Sequence, residues 1–369
     1  MIDYYNSFDE EPYDSPQEPY PDYFYDWDES LTKNSSPRFL EDEEFYEIIE
    51  IYLEEGEVKK AKQTIQYALK LHPDSEELVY DLLLLLNDFE LWNDLLVLSE
   101  EYQDLLGVWA EGHKLTALLH LGMEEDAFLF FRKTKFQYDK EEEKEDLTVL
   151  YQAMGEALQE ADLFDASVIL IEEAISILGA DVDFYWLQLQ AYLSLEVKEK
   201  ALDLANKIEQ INPMDGENWY RLGSVYIDLD EMEKAIDAFE FAESLGYRKR
   251  SNYLGLITAY EKNGNHLRAL EKTKDFLHLY PESYMVNILA ANICSEMEMW
   301  EEALLYVDAA LEVVPELDAL YLYKSSFFLN LGEKKKAILT LEEGIRQTRD
   351  AGGELKKELE KLYNENPNF

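Results

Sequence analysis

NWYRLGSVYIDLDEMEKAIDAFEFAESL, residues 218–245, decides the fold of this 369-residue chain. Within it Trp219, Leu222, Gly223 and Tyr226 fall on one helical face, Asp230 marks a turn, and Ala235, Phe239 and Ala242 fall on a second face. Small residues stand where two helices must approach closely, and large ones fill the space between units. The pattern recurs along the chain. Ala201, Ala235, Ala269, Ala303 and Ala337 stand 34 residues apart, with Ser167 one step earlier, and a fixed period of this kind marks stacked helix-turn-helix units. Pro73, Pro213, Pro281 and Pro315 share one phase. They end the second helix of their units, because proline lacks an amide donor and restricts the residue before it.

The order aromatic, leucine-glycine, tyrosine, then alanine, phenylalanine, alanine, then proline resembles the tetratricopeptide repeat family, and 218–242 matches it almost position for position. The resemblance implies an all-α fold, a right-handed α-solenoid of antiparallel helix pairs closed by a C-terminal capping helix. Used as a ruler, the unit places repeats at 42–75, 76–107, 108–141, 148–181, 182–215, 216–249, 250–283, 284–317 and 318–351, the last six in unbroken register. The acidic run Asp139 to Asp146 shifts the phase by six residues. Repeat 76–107 matches poorly, since Leu95 replaces the small residue and Tyr102 the second alanine. Bulky Ile49, Leu83, Leu115, Leu189 and Ile257 replace the family's small residue in the first helix. Beyond 351, Leu355, Leu359 and Leu362 make an apolar stripe beside Lys356, Lys357, Glu358 and Lys361, the pattern of a capping helix over 352–365.

Only 15 glycines and 10 prolines suit an almost entirely helical soluble protein. A solenoid grows by adding units, so 41–351 reads as one continuous domain. Cys294 is the single cysteine, which precludes an internal disulfide and favours a reducing compartment. Met1 to Glu10 lacks a basic segment followed by an apolar core, so no secretory signal is expected unless one has been removed. The most apolar run, Leu82 to Leu86, is far too short to span a bilayer. The expectation is a cytoplasmic protein without a membrane partner.

Residues 1–40 are a different material, with ten acids against Lys33 and Arg38 and almost no aliphatic side chains. Such a composition cannot build a core, so an acidic, aromatic-rich tail without stable structure is expected. Tyr4, Tyr5, Phe8, Tyr13, Tyr20, Tyr23, Phe24, Tyr25 and Trp27 nevertheless make it adhesive. Two readings stand: a solvated tail that keeps the chain soluble, or a segment, Tyr20 to Trp27, that docks onto a groove of its own or a neighbouring chain.

The formal net charge of −47 repels phosphate and anionic lipid, so no direct nucleic-acid partner is expected, and basic proteins or peptides are favoured. From Tyr247 to Asp275 the trend reverses, with seven bases against three acids. Arg248, Lys249 and Arg250 lie at a turn between repeats, as a solvated loop or as a docking point for anionic groups.

In tetratricopeptide domains the first helix of each repeat lines a concave groove that receives extended segments or helices. At the fifth position of the six regular repeats stand Gln152, Trp186, Tyr220, Leu254, Ile288 and Leu322, and at the ninth Glu156, Gln190, Ser224, Thr258, Asn292 and Ser326. Residues four apart share one side of a helix. From 182 onward the groove therefore carries an apolar row beside short, uncharged hydrogen-bonding groups, suited to a partner's apolar side chains and exposed backbone. The same apolar row could instead be covered by neighbouring repeats. Towards the N-terminus the groove turns acidic, with Glu43, Tyr46, Glu50 and Glu54 in the first repeat and Glu156 and Glu160 in the fourth. A lysine and asparagine clamp for a C-terminal carboxylate is not expected, because no fifth position carries lysine and Asn292 stands alone.

No glycine-rich phosphate loop, Gly-x-Ser-x-Gly elbow or His-Glu-x-x-His run occurs. His72, His113, His120, His266 and His278 are scattered, and no metal or cofactor is expected. Asp228 and Asp230 lack the glycine and glutamate of a calcium loop. The reading is a non-enzymatic protein-interaction module or scaffold, with Trp186, Gln190, Tyr220, Ser224, Leu254, Thr258, Ile288, Asn292, Leu322 and Ser326 as the groove. Two alternatives are a self-associating scaffold with the acidic tail in a groove, and a regulatory or substrate-selecting subunit of an enzyme complex.

Overall fold

The computed structural model describes residues 20–33, 39–138, 143–348 and 353–364. Met1 to Glu10, the aromatic residues Tyr4, Tyr5, Phe8 and Tyr13, and residues 139–142 of the acidic run lie outside them. Among the described residues the regular structure is helical throughout. The chain divides between Ile211 and Asn212 into two compact units, where the sequence reads as one run of repeats.

The N-terminal unit holds α1 (Asp22–Lys33), then the antiparallel pairs α2 and α3 (Asp42–Glu54, Val58–Leu71) and α4 and α5 (Glu76–Asp88, Trp92–Glu101). The short α6 (Gln103–Leu106) leads to α7 and α8 (Val108–His120, Glu124–Lys135), α9 and α10 (Lys144–Glu160, Phe164–Leu178), and α11 and α12 (Val182–Ser194, Lys198–Ile211). In the C-terminal unit α13 and α14 (Gly216–Asp228, Met232–Ser244) precede α15 and α16 (Arg250–Lys262, His266–Leu279). Then come α17 and α18 (Tyr284–Glu296, Trp300–Val313), α19 and α20 (Asp318–Asn330, Lys334–Thr348), and α21 (Glu354–Asn364). The six-residue phase shift falls between α8 and α9.

Each pair turns at one equivalent residue in the left-handed region. Gly56, Glu90, Gly122, Asp162, Glu196, Asp230, Gly264, Glu298 and Gly332 all have positive φ. Five of the nine are acids, for which that conformation costs roughly 1–2 kcal/mol relative to the right-handed region. Glu196 (φ 57) is exposed. Glu196→Gly is therefore expected to raise stability by about 0.5–1 kcal/mol, glycine's entropy in the unfolded chain offsetting part of the gain. A thermal midpoint unchanged or lowered would contradict this.

The 34-residue series forms the contact points between helices: Ser167, Ala201, Ala235, Ala269, Ala303 and Ala337 are completely buried. So are the bulky first-helix residues Ile49, Leu83, Leu115, Leu189 and Ile257, so the packing absorbs them instead of turning them outward. At the C-terminal end α21 buries Leu355 and Leu362 against a cluster containing Tyr321 and Leu341, which closes the last pair as a cap must.

Within the expected unstructured tail of 1–40, the described residues 22–33 are helical instead. Residues 22–33 form α1, with Phe24, Trp27 and Leu31 on one face; Trp27 is 1% exposed and Phe24 5%. The Trp27 ring packs edge-on to Phe45 and Tyr67, and its Nε1 donates to Thr64 Oγ1 at 2.9 Å. Asp28 accepts hydrogen bonds from the Tyr52 hydroxyl and Lys60 Nζ, both at 2.8 Å. The Lys60 ammonium beside it, helped by Tyr52, holds the Asp28 carboxyl below the usual range. Aliphatic content is a poor guide here, because aromatic rings supply the buried area and α2 and α3 supply the surface against which it is buried.

Candidate functional site

In the C-terminal unit the first helices of adjacent pairs enclose a cavity of about 660 Å³. Leu254 and Thr258 of α15 form one wall, and Tyr284, Met285, Ile288, Leu289 and Asn292 of α17 the other. Val286, Glu261, Lys262, His266 and Glu296 complete its lining. Two consecutive copies of the fifth and ninth positions thus converge on one hollow: Leu254 and Ile288 supply apolar surface, Thr258 and Asn292 hydrogen-bonding groups. Among the described residues neither the Thr258 hydroxyl nor the Asn292 amide has a side-chain hydrogen-bond partner. Burial pushes the Glu261 carboxyl above its ordinary range.

The remaining expected groove residues are placed less uniformly. Trp186 is 5% exposed, so it is a packing residue. Leu254, at 4%, is at least as buried and offers only a small part of its surface to the cavity it lines. Tyr220 is half-buried and stacks on Tyr247, ring centroids 5.2 Å apart, so the turn after α14 shields it. Leu322 is half-buried and packs on the C-terminal core cluster. Gln190 is exposed, and the Ser224 and Ser326 hydroxyls donate to carbonyls of their own helices, at Tyr220 and Tyr323.

The N-terminal unit has its own cavity, of about 360 Å³, lined by α4, α7 and α9. Gln152, Glu156 and Glu160 line it as fifth, ninth and following positions, opposite Tyr80, Leu84, Trp109 and His113. Gly112 lets α7 approach α9, since a Cβ there would sit 2.9 Å from that of Ala153. Tyr80 stands edge-on to Trp109 (5.8 Å) and to His113 (6.3 Å). Burial pushes the His113 imidazole down to about 4, so it is neutral at physiological pH. Glu43, Glu50 and Glu54 do not line this cavity; they lie along α2, where burial and then Glu54 and Glu47 raise the Glu50 carboxyl.

The basic turn is partly a packing feature. Arg250 lies over the Tyr280 ring at 4.7 Å, and Lys249 over Tyr247 at 4.9 Å, leaving Arg248 exposed. The described part of the acidic tail packs on α2 and α3. Cys294 is buried in the core, and burial pushes its thiol up to about 11. Among the described residues no group of three or more histidine, cysteine, aspartate or glutamate side chains is gathered to hold a metal ion, and no helix is long and apolar enough to cross a membrane.

An outer feature escapes a first-helix reading. Position 22 of the repeats, on the second helix, carries exposed aliphatic side chains at Val97, Leu129, Ile169, Leu305 and Leu339. Their spacing was legible, but they fall outside the family's packing pattern.

Stacked pairs of antiparallel helices with hollows along the first-helix face define an α-helical repeat protein. Residues 216–245 match the model of the tetratricopeptide repeat, and the other described helix pairs repeat that construction along the chain. A search of curated protein sequences finds no match. Among solved structures the chain is similar to the C-terminal part of a repeat-containing protein from Cytophaga hutchinsonii, with 15% identity over 65% of this chain and 96% of that one and a TM-score of 0.50. It is also similar to a tetratricopeptide repeat protein from Parabacteroides merdae (17% identity, 74% and 99% covered, TM-score 0.42). A third is YrrB, described as a tetratricopeptide protein with an unusual peptide-binding site (20% identity, 52% and 97% covered, TM-score 0.41).

Proposed function

We propose that the chain is a non-enzymatic protein-interaction module that receives an extended partner segment along the first-helix face, with the cavity between α15 and α17 as an anchor point. The single observation that carries this reading is the convergence of Leu254, Thr258, Ile288 and Asn292 on one hollow of about 660 Å³. Apolar walls remove an apolar side chain from water, each such side chain contributing about 1.5–3 kcal/mol when fully covered. The unpaired Thr258 hydroxyl and Asn292 amide can hydrogen-bond the backbone that carries it, which an extended segment leaves exposed. A ligand with a free backbone therefore gains both from covered apolar area and from pairing with these groups.

Selection of a random phage-displayed peptide library on the full chain tests the reading. The expected result is an enriched family of peptides sharing an apolar residue, whose replacement by alanine in a synthetic copy weakens binding about tenfold. Absence of any enriched family would overturn it.

A further inference from the structure

The cavity of the N-terminal unit is chemically unlike the one just described. One wall is aromatic and the other acidic: Tyr80, Trp109 and His113 face Glu156 and Glu160. Trp109 is 50% exposed despite its size, so half of its surface is open to a ligand. Glu160 has a partner in His120, whose Nε2 lies 3.3 Å from Oε2 and whose ring stacks on Trp92. Glu156 has none among the described residues: no hydrogen bond or ion pair reaches it, and its charged neighbours are Glu160 and Asp183. Its carboxyl is accordingly raised, first by withdrawal from water and then by those two acids.

Among the described residues no lysine or arginine lines this hollow. Helices α2, α4 and α11 contain no lysine or arginine, and Lys114 of α7 is drawn away to Glu100 at 2.9 Å and over the Phe130 ring. Lys144 sits at the opposite end of α9 from Glu156. His113, neutral, adds no positive charge. What is left is a half-open negative hollow beside an exposed aromatic ring, the arrangement that attracts a cation both by charge and by the ring quadrupole.

We infer that this cavity holds the guanidinium of an arginine in a partner segment, its plane on Trp109 and its donors turned to Glu156. The inference rests on the first-helix face being peptide-binding. Arginine fits better than lysine because its planar, weakly hydrated head stacks on an aromatic ring while donating a paired set of hydrogen bonds to a carboxylate. A lysine ammonium is a strongly hydrated point charge and gives up more water to enter.

The test uses the full chain and the random phage-displayed library. Enriched peptides should share an arginine, and in a synthetic copy Arg-to-Gln replacement should weaken binding about tenfold, with Arg-to-Lys intermediate. Trp109→Ala and Glu156→Gln should each weaken the parent peptide about tenfold and leave the glutamine peptide unaffected, the non-additivity that marks direct contact. Both side chains are exposed, and an unchanged thermal midpoint verifies that each variant folds. Enriched peptides sharing only an apolar residue would overturn the arginine site and leave the peptide-binding reading intact. So would an arginine peptide whose affinity is the same for wild type, Trp109→Ala and Glu156→Gln. No enrichment at all would overturn both.

Discussion

Trp27→Ala is expected to release α1 and to destabilise the N-terminal end of the chain by about 3–5 kcal/mol, the range for truncating a fully buried aromatic side chain. The indole is 1% exposed, packs on Phe45 and Tyr67, and donates the hydrogen bond that satisfies Thr64. Losing it leaves a cavity among aromatic rings and unpairs the completely buried Thr64 hydroxyl oxygen, although that group still donates to the Lys60 carbonyl. In a repeat array each unit contacts only its neighbours, so the effect stays local. Amide exchange in α1, α2 and α3 should therefore rise about a hundredfold or more while α17 to α20 keep their protection. Tyr25, 52% exposed on the other side of α1, supplies the control: Tyr25→Ala should cost less than about 1 kcal/mol. Equal exchange in wild type and Trp27→Ala would show that α1 contributes nothing to the first pair.

Phe239→Ala should have an effect of similar size in the C-terminal unit. The Phe239 ring is completely buried in the space left by two glycines: a Cβ on Gly223 or on Gly255 would lie 2.6 Å from its Cε1. Gly223 belongs to α13 of the same repeat and Gly255 to α15 of the next, so one ring spans the joint between repeats. Alanine there leaves a void bounded by two residues without side chains, which cannot close over it, and the cost is about 3–5 kcal/mol. Gly255→Ala should also destabilise, by about 1–3 kcal/mol, because the added methyl group and the ring claim the same volume. Denaturant unfolding of the full chain, followed by exchange in α13 to α15, reads both. A loss below about 1 kcal/mol for Phe239→Ala would mean that the joint repacks.

The packing was the most legible part of the molecule. Ala201 to Ala337 announce helix-helix contacts from sequence because close approach tolerates only small side chains, and all five are completely buried. Helix α1 was hidden because its acids and scarce aliphatic residues match the composition of unfolded chain. The recurrence of Phe24, Trp27 and Leu31 at three and four residues was its one local signal. The expected groove residues were legible in phase but not in exposure. Trp186 and Ile288 share the fifth position, yet Trp186 is buried and Ile288 lines a cavity, since how far neighbouring helices stand apart depends on every residue between them. The N-terminal cavity was reachable by the same ruler. Tyr80 and Leu84 hold the fifth and ninth positions of repeat 76–107, but that repeat matches the family poorly, and Trp109 and His113 lie outside both positions.

The claim that the first-helix face binds partners is tested most directly by comparing two single substitutions, one on each face of the same repeat. Ile288 lines the cavity on α17, whereas Leu305 is 67% exposed on α18 and belongs to the outer aliphatic row. With a peptide selected on the wild-type chain, Ile288→Glu should weaken binding at least about tenfold, because a carboxylate replaces apolar surface that the ligand covers. Leu305→Glu should leave affinity unchanged. Full affinity in Ile288→Glu together with loss in Leu305→Glu would contradict the account and move the binding surface to the outer face.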